Sequence, residues 1–489
     1  MVDLLYPFSR RKTPVAVIPI RLGSISLFFR LDPDLISRRQ LLHELRFRGT
    51  PMSNRSHSSD DSITKAISFG GVSMPRYLRF VLAVFFLTTP QVTRVAEGQE
   101  RPIVLKAATV LDGKGHVLRN TVIVVEGGKI VRVGGELPAG AITYDLSDLT
   151  VAPGWIDTHA HIVWHFDNGR LAGKDEPPVR AMLHAADNAI LTLNAGFTTI
   201  QSPGSSEDKD LRDAIARGII PGPRLLTSLE PLDEKSGPPE KLRELVRERK
   251  QQGADFIKLF ASKSIREGGT QTMTDQQLIA ACGEAKSLGL RTIVHAHSAE
   301  SAKAATLAGC TTIEHGAYVT DDVFALMAQH GTYYDPNIGL VLQNYLQNKE
   351  KFLGIGNYNE QGFAFMEKGI AIVLDTFKKA LKHKDLKIVY GTDAVVGAHG
   401  RNYEEFIVRV RDGGQDPMAA IMSATSISAE SLGLEDKIGA IAPGMDADII
   451  AMGGDPLYDP TAARRVVFVM KAGKVYENLA PGAKRQESR

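Results

Sequence analysis

Cysteine is nearly absent from this chain, with two in 489 residues and no Cys-x-x-Cys pair, which excludes a disulfide scaffold and a multi-thiolate metal site. Cys282 falls in a helical pattern and Cys310 just before a strand, both among apolar residues, so buried free thiols are expected, neither ligands nor a required disulfide. No Gly-x-Gly-x-x-Gly links a strand to a helix. Glycines such as those in Gly196-Phe-Thr-Thr-Ile and Gly413-Gly414 therefore support no dinucleotide site. A serine-centred nucleophile elbow is also missing. Charge of one sign is not in excess, at 58 Lys and Arg against 56 Asp and Glu. From residue 99 onward the balance is 44 against 49, mildly acidic, which argues against a nucleic-acid partner. With 43% hydrophobic and 23% charged residues, the composition is that of an ordinary globular chain, long enough for one large domain and a smaller one.

What is present is histidine at strand ends. The apolar run Val151-Ala-Pro-Gly-Trp-Ile-Asp-Thr158 ends in His159-Ala160-His161. Alternate residues on a strand point the same way, so two imidazoles face one point in space. Similar endings recur. Asp255-Phe-Ile-Lys258-Leu-Phe260 is a short buried strand with a lysine inside it, Arg291-Thr-Ile-Val-His295-Ala-His297 and Thr311-Thr-Ile-Glu-His315-Gly316 end in histidine, and Lys387-Ile-Val-Tyr-Gly-Thr-Asp393 ends in aspartate. Helical patterns at 274 to 288 and 299 to 308, each closed by glycine, alternate with these strands. Eight strands are predicted, at 154–161, 196–201, 224–228, 256–260, 292–295, 312–315, 333–336 and 388–391. The fold class is therefore α/β, a (β/α)8 TIM barrel, with its candidate ligands at the carboxyl ends of strands one, four, five, six and eight.

These strings, together with Pro443-Gly-Met-Asp-Ala-Asp-Ile449, resemble the amidohydrolase superfamily over about residues 101 to 477, in the branch of imidazolonepropionase-like and Xaa-Pro dipeptidase-like enzymes. The resemblance implies a binuclear centre. One divalent metal would sit on His159, His161 and Asp393 and the other on His295 and His315, with Lys258 bridging them as a carbamate formed with carbon dioxide. An unmodified ammonium beside two dications is repelled, whereas a carbamate offers two anionic oxygens. Zinc is the default ion. His295 and His297 both suit the strand-five position; the family spacing points to His295, leaving His297 nearer the rim to bind a substrate carboxylate or polarise the scissile carbonyl.

Such a centre hydrolyses amides, because bound ions depress the acidity constant of a bridging water and polarise the carbonyl it attacks. Asp393 then acts as ligand and as general acid/base, returning the abstracted proton to the departing nitrogen. The expected substrates are small: dipeptides of the Xaa-Pro type or N-acyl amino acids. Hydrolysis of a cyclic amide is the alternative within the family, and a non-catalytic binding protein with a retained fold is the alternative from another class. Lys258 argues against a mononuclear deaminase, with Glu300 as the one residue favouring it. His399, Tyr318 and Asn337 are loop residues with open roles, and a lone loop histidine such as His399 is ordinarily solvated.

Four segments are expected. Residues 1 to 73 hold 11 Lys and Arg against 6 Asp and Glu without a repeating period, and read as a non-native or disordered extension. Residues 74 to 98 look like a secretory signal, a basic Met74-Pro-Arg-Tyr-Leu-Arg79 followed by eight apolar residues, too short to span a membrane. On that reading translation starts at Met74, cleavage falls near Ala96, and the protein is secreted or periplasmic; otherwise it is cytoplasmic. Residues 99–152 and 439–489 are expected to pair as a discontinuous β-sandwich beside the barrel at 153–438. A long connection at about 340 to 385, with a helical pattern at 360 to 381, is placed to cover the pocket. A small-molecule or dipeptide substrate is the expected partner, with no integral membrane partner and homo-oligomerisation left open.

Overall fold

The computed structural model describes residues 101–172 and 176–481, together with two short strands near the N-terminus. The chain divides into two units, 1–91 and 92–489. In the first, β1 (Val17–Leu22) and β2 (Ile25–Arg30) pair antiparallel. The β-branched and aromatic residues of both segments suit strands, and the remainder of the expected extension at 1–73 lies outside the described residues. The signal-like segment at 74 to 98 and the cleavage position near Ala96 lie outside the described residues.

The second unit begins with β3 (Ile103–Leu111), β4 (Val117–Glu126), β5 (Lys129–Val133), β6 (Ile142–Asp145) and β7 (Thr150–Pro153). Gly154 then leads into β8 (Trp155–Asp157), the first barrel strand. After a two-residue hairpin, β9 (Phe166–Asp167) and β10 (Arg170–Leu171), come the parallel strands β11 (Phe197–Ser202), β12 (Arg224–Thr227), β13 (Phe256–Phe260), β14 (Arg291–Ser298), β15 (Thr312–Tyr318) and β16 (Tyr333–Asp335). Helices alternate with them, so Ile257 and Leu259 turn outward onto the helical layer while Lys258 points inward.

Backbone hydrogen bonds link neighbouring segments around the ring. Asp255 N donates to Thr227 O at 2.8 Å, joining the third strand to the fourth. Val389 N donates to Tyr334 O at 2.9 Å, and Thr158 N to Tyr390 O at 2.8 Å, which brings the eighth segment between β16 and β8. The expected strand at 388–391 is no regular strand; it keeps isolated parallel bridges at Ile388 and Ala394. Carboxylates take over its ladder. Gly391 N donates to Asp335 Oδ1 at 2.8 Å and Thr392 N to Asp157 Oδ1 at 3.0 Å. Strand one is likewise shorter than expected, and His159 and His161 follow it in extended backbone around the Ala160 bridge.

After the barrel, β17 (Ile449–Met452), β18 (Val466–Lys471) and β19 (Lys474–Asn478) return to β7 and complete the sheet β19-β18-β17-β7-β3-β4-β5, with β6 on β3. The expected sandwich is thus one continuous eight-stranded mixed sheet. It curls on itself, for the Tyr144 and Phe468 rings lie 5.4 Å apart and strands from both halves share one core.

Cys282, in the helix Asp275–Ser287, and Cys310, just before β15, form a disulfide across a Cα separation of 5.1 Å. This overturns the expectation of free thiols. The helix of one βα unit abuts the turn that closes the helix of the next, Ala299–Leu307, a proximity that a spacing of 28 residues does not reveal. Among the described residues no helix is long and apolar enough to cross a membrane.

Candidate metal centre

His159, His161, Lys258, His295, His297, His315 and Asp393 all line one cavity of about 260 Å³ at the carboxyl ends of the barrel strands. Two groups of ligand atoms gather there, each within 4.8 Å: His159, His161 and Asp393 form one, and His295, His297 and His315 the other. Asp393 Oδ1 lies 3.1 Å from His161 Nε2 and 3.5 Å from His159 Nε2. Lys258 Nζ stands 3.4 Å from His159 Nε2, and the His295 and His315 rings are 4.7 Å apart. His315 and Asp393 both hold left-handed backbone, at φ of 67° and 50°. Such conformations persist in non-glycine residues only where the surroundings enforce them.

The electrostatics favour metal ligation. Burial, reinforced by neighbouring positive charge, holds the imidazoles of His159, His295 and His315 well below their ordinary value, hence neutral with a lone pair free. Burial also lowers the Lys258 ammonium, against the pull of Glu314 and Asp393. For Asp393, burial works upward, but His159 and the hydrogen bond from His161 outweigh it and keep the carboxyl below its usual value. Imidazole nitrogen beside carboxylate oxygen is a donor set suited to zinc and related divalent ions.

Both strand-five histidines line the cavity and share a ligand group with His315. Burial, reinforced by Arg266 and Lys258, lowers His297 to about 3. His297 Nδ1 is buried without a hydrogen-bond partner. Arg266 is held over the Tyr358 and Tyr345 rings, at 4.1 and 5.4 Å, and bonds Asn357 at 2.8 Å. Tyr345 and Tyr358 belong to the long strand-seven-to-eight connection, whose helices run Val341–Gln347, Lys349–Phe352 and Glu360–Ala380, so this insertion supplies one wall of the cavity.

Several residues take places that sequence reasoning missed. Glu314, next to His315 in the chain, is one of them. It is fully buried, with Oε2 2.7 Å from His159 Nδ1, and burial raises it to about 8. A carboxylate in that position fixes the ring so that Nε2 faces the cavity. Its signal was adjacency to His315, but the partner is 155 positions away. Glu314→Gln is expected to weaken metal retention by roughly 10- to 100-fold. Competition with a graded chelator series checks this, and retention equal to the parent's would remove the orienting role.

Beneath the ligands, Asp157 accepts from Thr392 Oγ1 at 2.6 Å and Asn402 Nδ2 at 2.7 Å, tying strand one to the loop that carries Asp393. Gly391 must lack a side chain here, since a Cβ would fall 1.9 Å from Asp335 Oδ2. Asn337 supports the same floor, donating to Asp335 Oδ1 at 3.1 Å. His399 is not solvated, as a lone loop histidine was expected to be. It is 8% exposed, with Nε2 3.2 Å from the Trp164 carbonyl, and it lies outside the cavity lining, as does Tyr318. Glu300 is exposed in the first turn of the helix Ala299–Leu307 and takes no part.

Two such groups of imidazole and carboxylate donors at the mouth of a barrel could each hold a metal ion. The chain belongs to the amidohydrolase family, whose model matches residues 150–477. It is similar to a solved Xaa-Pro dipeptidase with methionine bound in its active site, at 31% identity and a TM-score of 0.70, covering 77% of this chain and 100% of that one. An ochratoxinase of Aspergillus niger is 24% identical over 441 residues, 79% of this chain and 89% of its own. An imidazolonepropionase of Rhodococcus jostii is 23% identical over 394 residues, 72% of this chain and 86% of its own.

Proposed function

We propose that this protein is a metal-dependent amidohydrolase that cleaves the C–N bond of N-acyl amino acids and dipeptides bearing a free carboxylate. The observation that carries the reading is a single cavity lined by two ligand groups, by Lys258 and by Arg266. Two divalent ions, zinc by the chemistry of the donors, would be held by His159, His161 and Asp393 and by His295 and His315, with Lys258 between them as its carbamate; when bound they supply Lewis acidity toward the scissile carbonyl.

The chain's own groups do the rest. Asp393, kept ionised and within reach of both strand-one histidines, accepts the proton of the attacking water and delivers it to the departing nitrogen. Arg266 and His297 line the same cavity, and the guanidinium suits a C-terminal carboxylate. Trp164, Phe260, Ile265 and Leu342 line the remainder and favour an apolar side chain. The methionine in the related dipeptidase is a free amino acid of this kind. Export through the Met74 signal is supported by the Cys282–Cys310 disulfide, since such bonds persist in oxidising compartments.

The test is free-amine release from a panel of N-acyl amino acids and dipeptides, each beside its C-terminal amide, by chain supplied with zinc and bicarbonate. Turnover of the free acids with apolar C-terminal residues, and at least about tenfold less for the amides, is expected, as for a lost charged hydrogen bond of 1.5–3 kcal/mol. Absence of turnover across the panel in metal-loaded protein overturns the reading.

A further inference from the structure

The mouth of the barrel does not hold every metal-binding group in this molecule. His165, Glu176 and His184 form a separate set, each offering one ligand atom within 4.8 Å of the others. His165 follows His161 by four positions in the segment leading to β9, Glu176 precedes the helix Pro178–Asn194, and His184 lies on that helix. None of the three lines the catalytic cavity.

We propose that these three residues form a further divalent metal site, of the zinc type, distinct from the barrel-mouth centre. The polar atoms are arranged for a ligand. His165 is 7% exposed and the Glu176 side chain 7% exposed, so both groups are withdrawn from water. His165 Nδ1 lies 2.9 Å from the Val163 carbonyl, and donating there leaves Nε2 with its lone pair facing Glu176. That Nε2 comes within 2.7 Å of Glu176 Oε2, yet it has no hydrogen-bond partner, and neither has Glu176 Oε1. An ordinary buried His–Glu pair satisfies both groups by an aligned N–H donor, because an unpaired buried polar atom costs about 1–3 kcal/mol. Two lone-pair donors turned toward each other are satisfied instead by a cation between them.

The second imidazole supplies the third donor. The His184 ring lies against that of His165, with centroids 4.2 Å apart and planes 12° from parallel, so one ring must turn for both lone pairs to meet a single ion. Two imidazole nitrogens and one carboxylate oxygen are a donor set that a tetrahedral zinc takes, with bonds of about 2.0–2.2 Å. A fourth position opens toward a neighbouring cavity of about 460 Å³, which both His165 and Glu176 line, and a water or small anion fits it.

The site has a consequence for the centre next to it. Trp164, the residue before His165, lines both cavities, and its ring stacks on the His161 ring at 4.6 Å. A metal on His165 and His184 fastens the loop after strand one to the first barrel helix, and so fixes the indole that packs on a catalytic-centre ligand. The role is one of positioning, carried through Trp164.

The experiment is zinc stoichiometry by elemental analysis on the full chain, saturated with Zn²⁺ alone and desalted, for the parent and for the double variant His165→Ala/His184→Ala. The parent is expected to retain one equivalent more than the variant, and Glu176→Gln to hold that equivalent with lower chelator resistance. Equal stoichiometry in parent and folded variant overturns the proposal. Should the double variant fail to fold, anomalous scattering at the zinc edge from crystals of the saturated parent decides. A peak between His165, Glu176 and His184 supports the site, and its absence with peaks at the barrel mouth sinks it. Both readouts are independent of turnover and of the substrate reading above.

Discussion

Asp393→Asn is expected to lower kcat for a small amide substrate by about 10²- to 10⁴-fold, the range for a lost general acid/base, while most of the bound metal remains. The substitution isolates the chemistry from the fold. Asp393 sits at φ 50°, a left-handed conformation that asparagine adopts more readily than most residues, and its backbone N–H donates to the His159 carbonyl at 2.7 Å whatever the side chain. The amide oxygen can still face His161, but it cannot take up a proton at neutral pH. Metal content and kcat measured on the same preparation check the prediction. Turnover within about tenfold of the parent would remove Asp393 as the proton carrier and leave it a ligand only.

Lys258→Ala is expected to abolish most activity, by at least about 10²-fold, and to lower the metal content as well. The lysine is 1% exposed, stands 3.4 Å from His159 Nε2 and lines the cavity that holds both ligand groups. A buried amine whose protonation is disfavoured is a nucleophile able to take up carbon dioxide, and the anion so formed compensates positive charge that neutral imidazoles cannot. Lys258→Glu places a carboxylate in the same region and should recover part of the metal. ¹³C NMR after growth or equilibration with labelled bicarbonate supplies an independent readout: a carbamate carbon in the parent, absent from the alanine variant. Parental activity and metal content in Lys258→Ala would overturn the bridging role.

The candidate ligands were legible because each stands at the end of a short apolar strand, and a strand end in a parallel barrel is a defined place in space. His159, His161, Lys258, His295, His315 and Asp393 could be gathered from that rule and the family resemblance, and the structure brings all six to one cavity. His297 came with them through the period of two on β14. Glu314 was not legible in the same way. Its neighbour His315 carries the visible signal, while its own partner lies across the barrel on strand one. Asp157, Asp335 and Asn402 read as ordinary polar residues until the ring of strands sets them under Thr392 and Gly391.

Misreadings share a physical cause. The Cys282–Cys310 bond and the burial of His399 each depend on segments that come together from different parts of the chain. Strand eight failed to appear as a regular strand because side-chain carboxylates, 235 and 56 positions away, replace the amide partners that a ladder would supply.

Local pattern alone therefore determined the alternation of strand and helix, the count of eight barrel segments, the inward direction of Lys258 and the residue types available at the carboxyl ends. Those follow from periodicity and from the fixed geometry of a βα unit. Tertiary structure decided which polar atoms meet: the orientation of His159 by Glu314, the wall that Tyr345 and Tyr358 build around Arg266, and the pairing of the two cysteines. Contacts of that kind join residues tens to hundreds of positions apart, and nothing in their immediate neighbours along the chain specifies the distance between them.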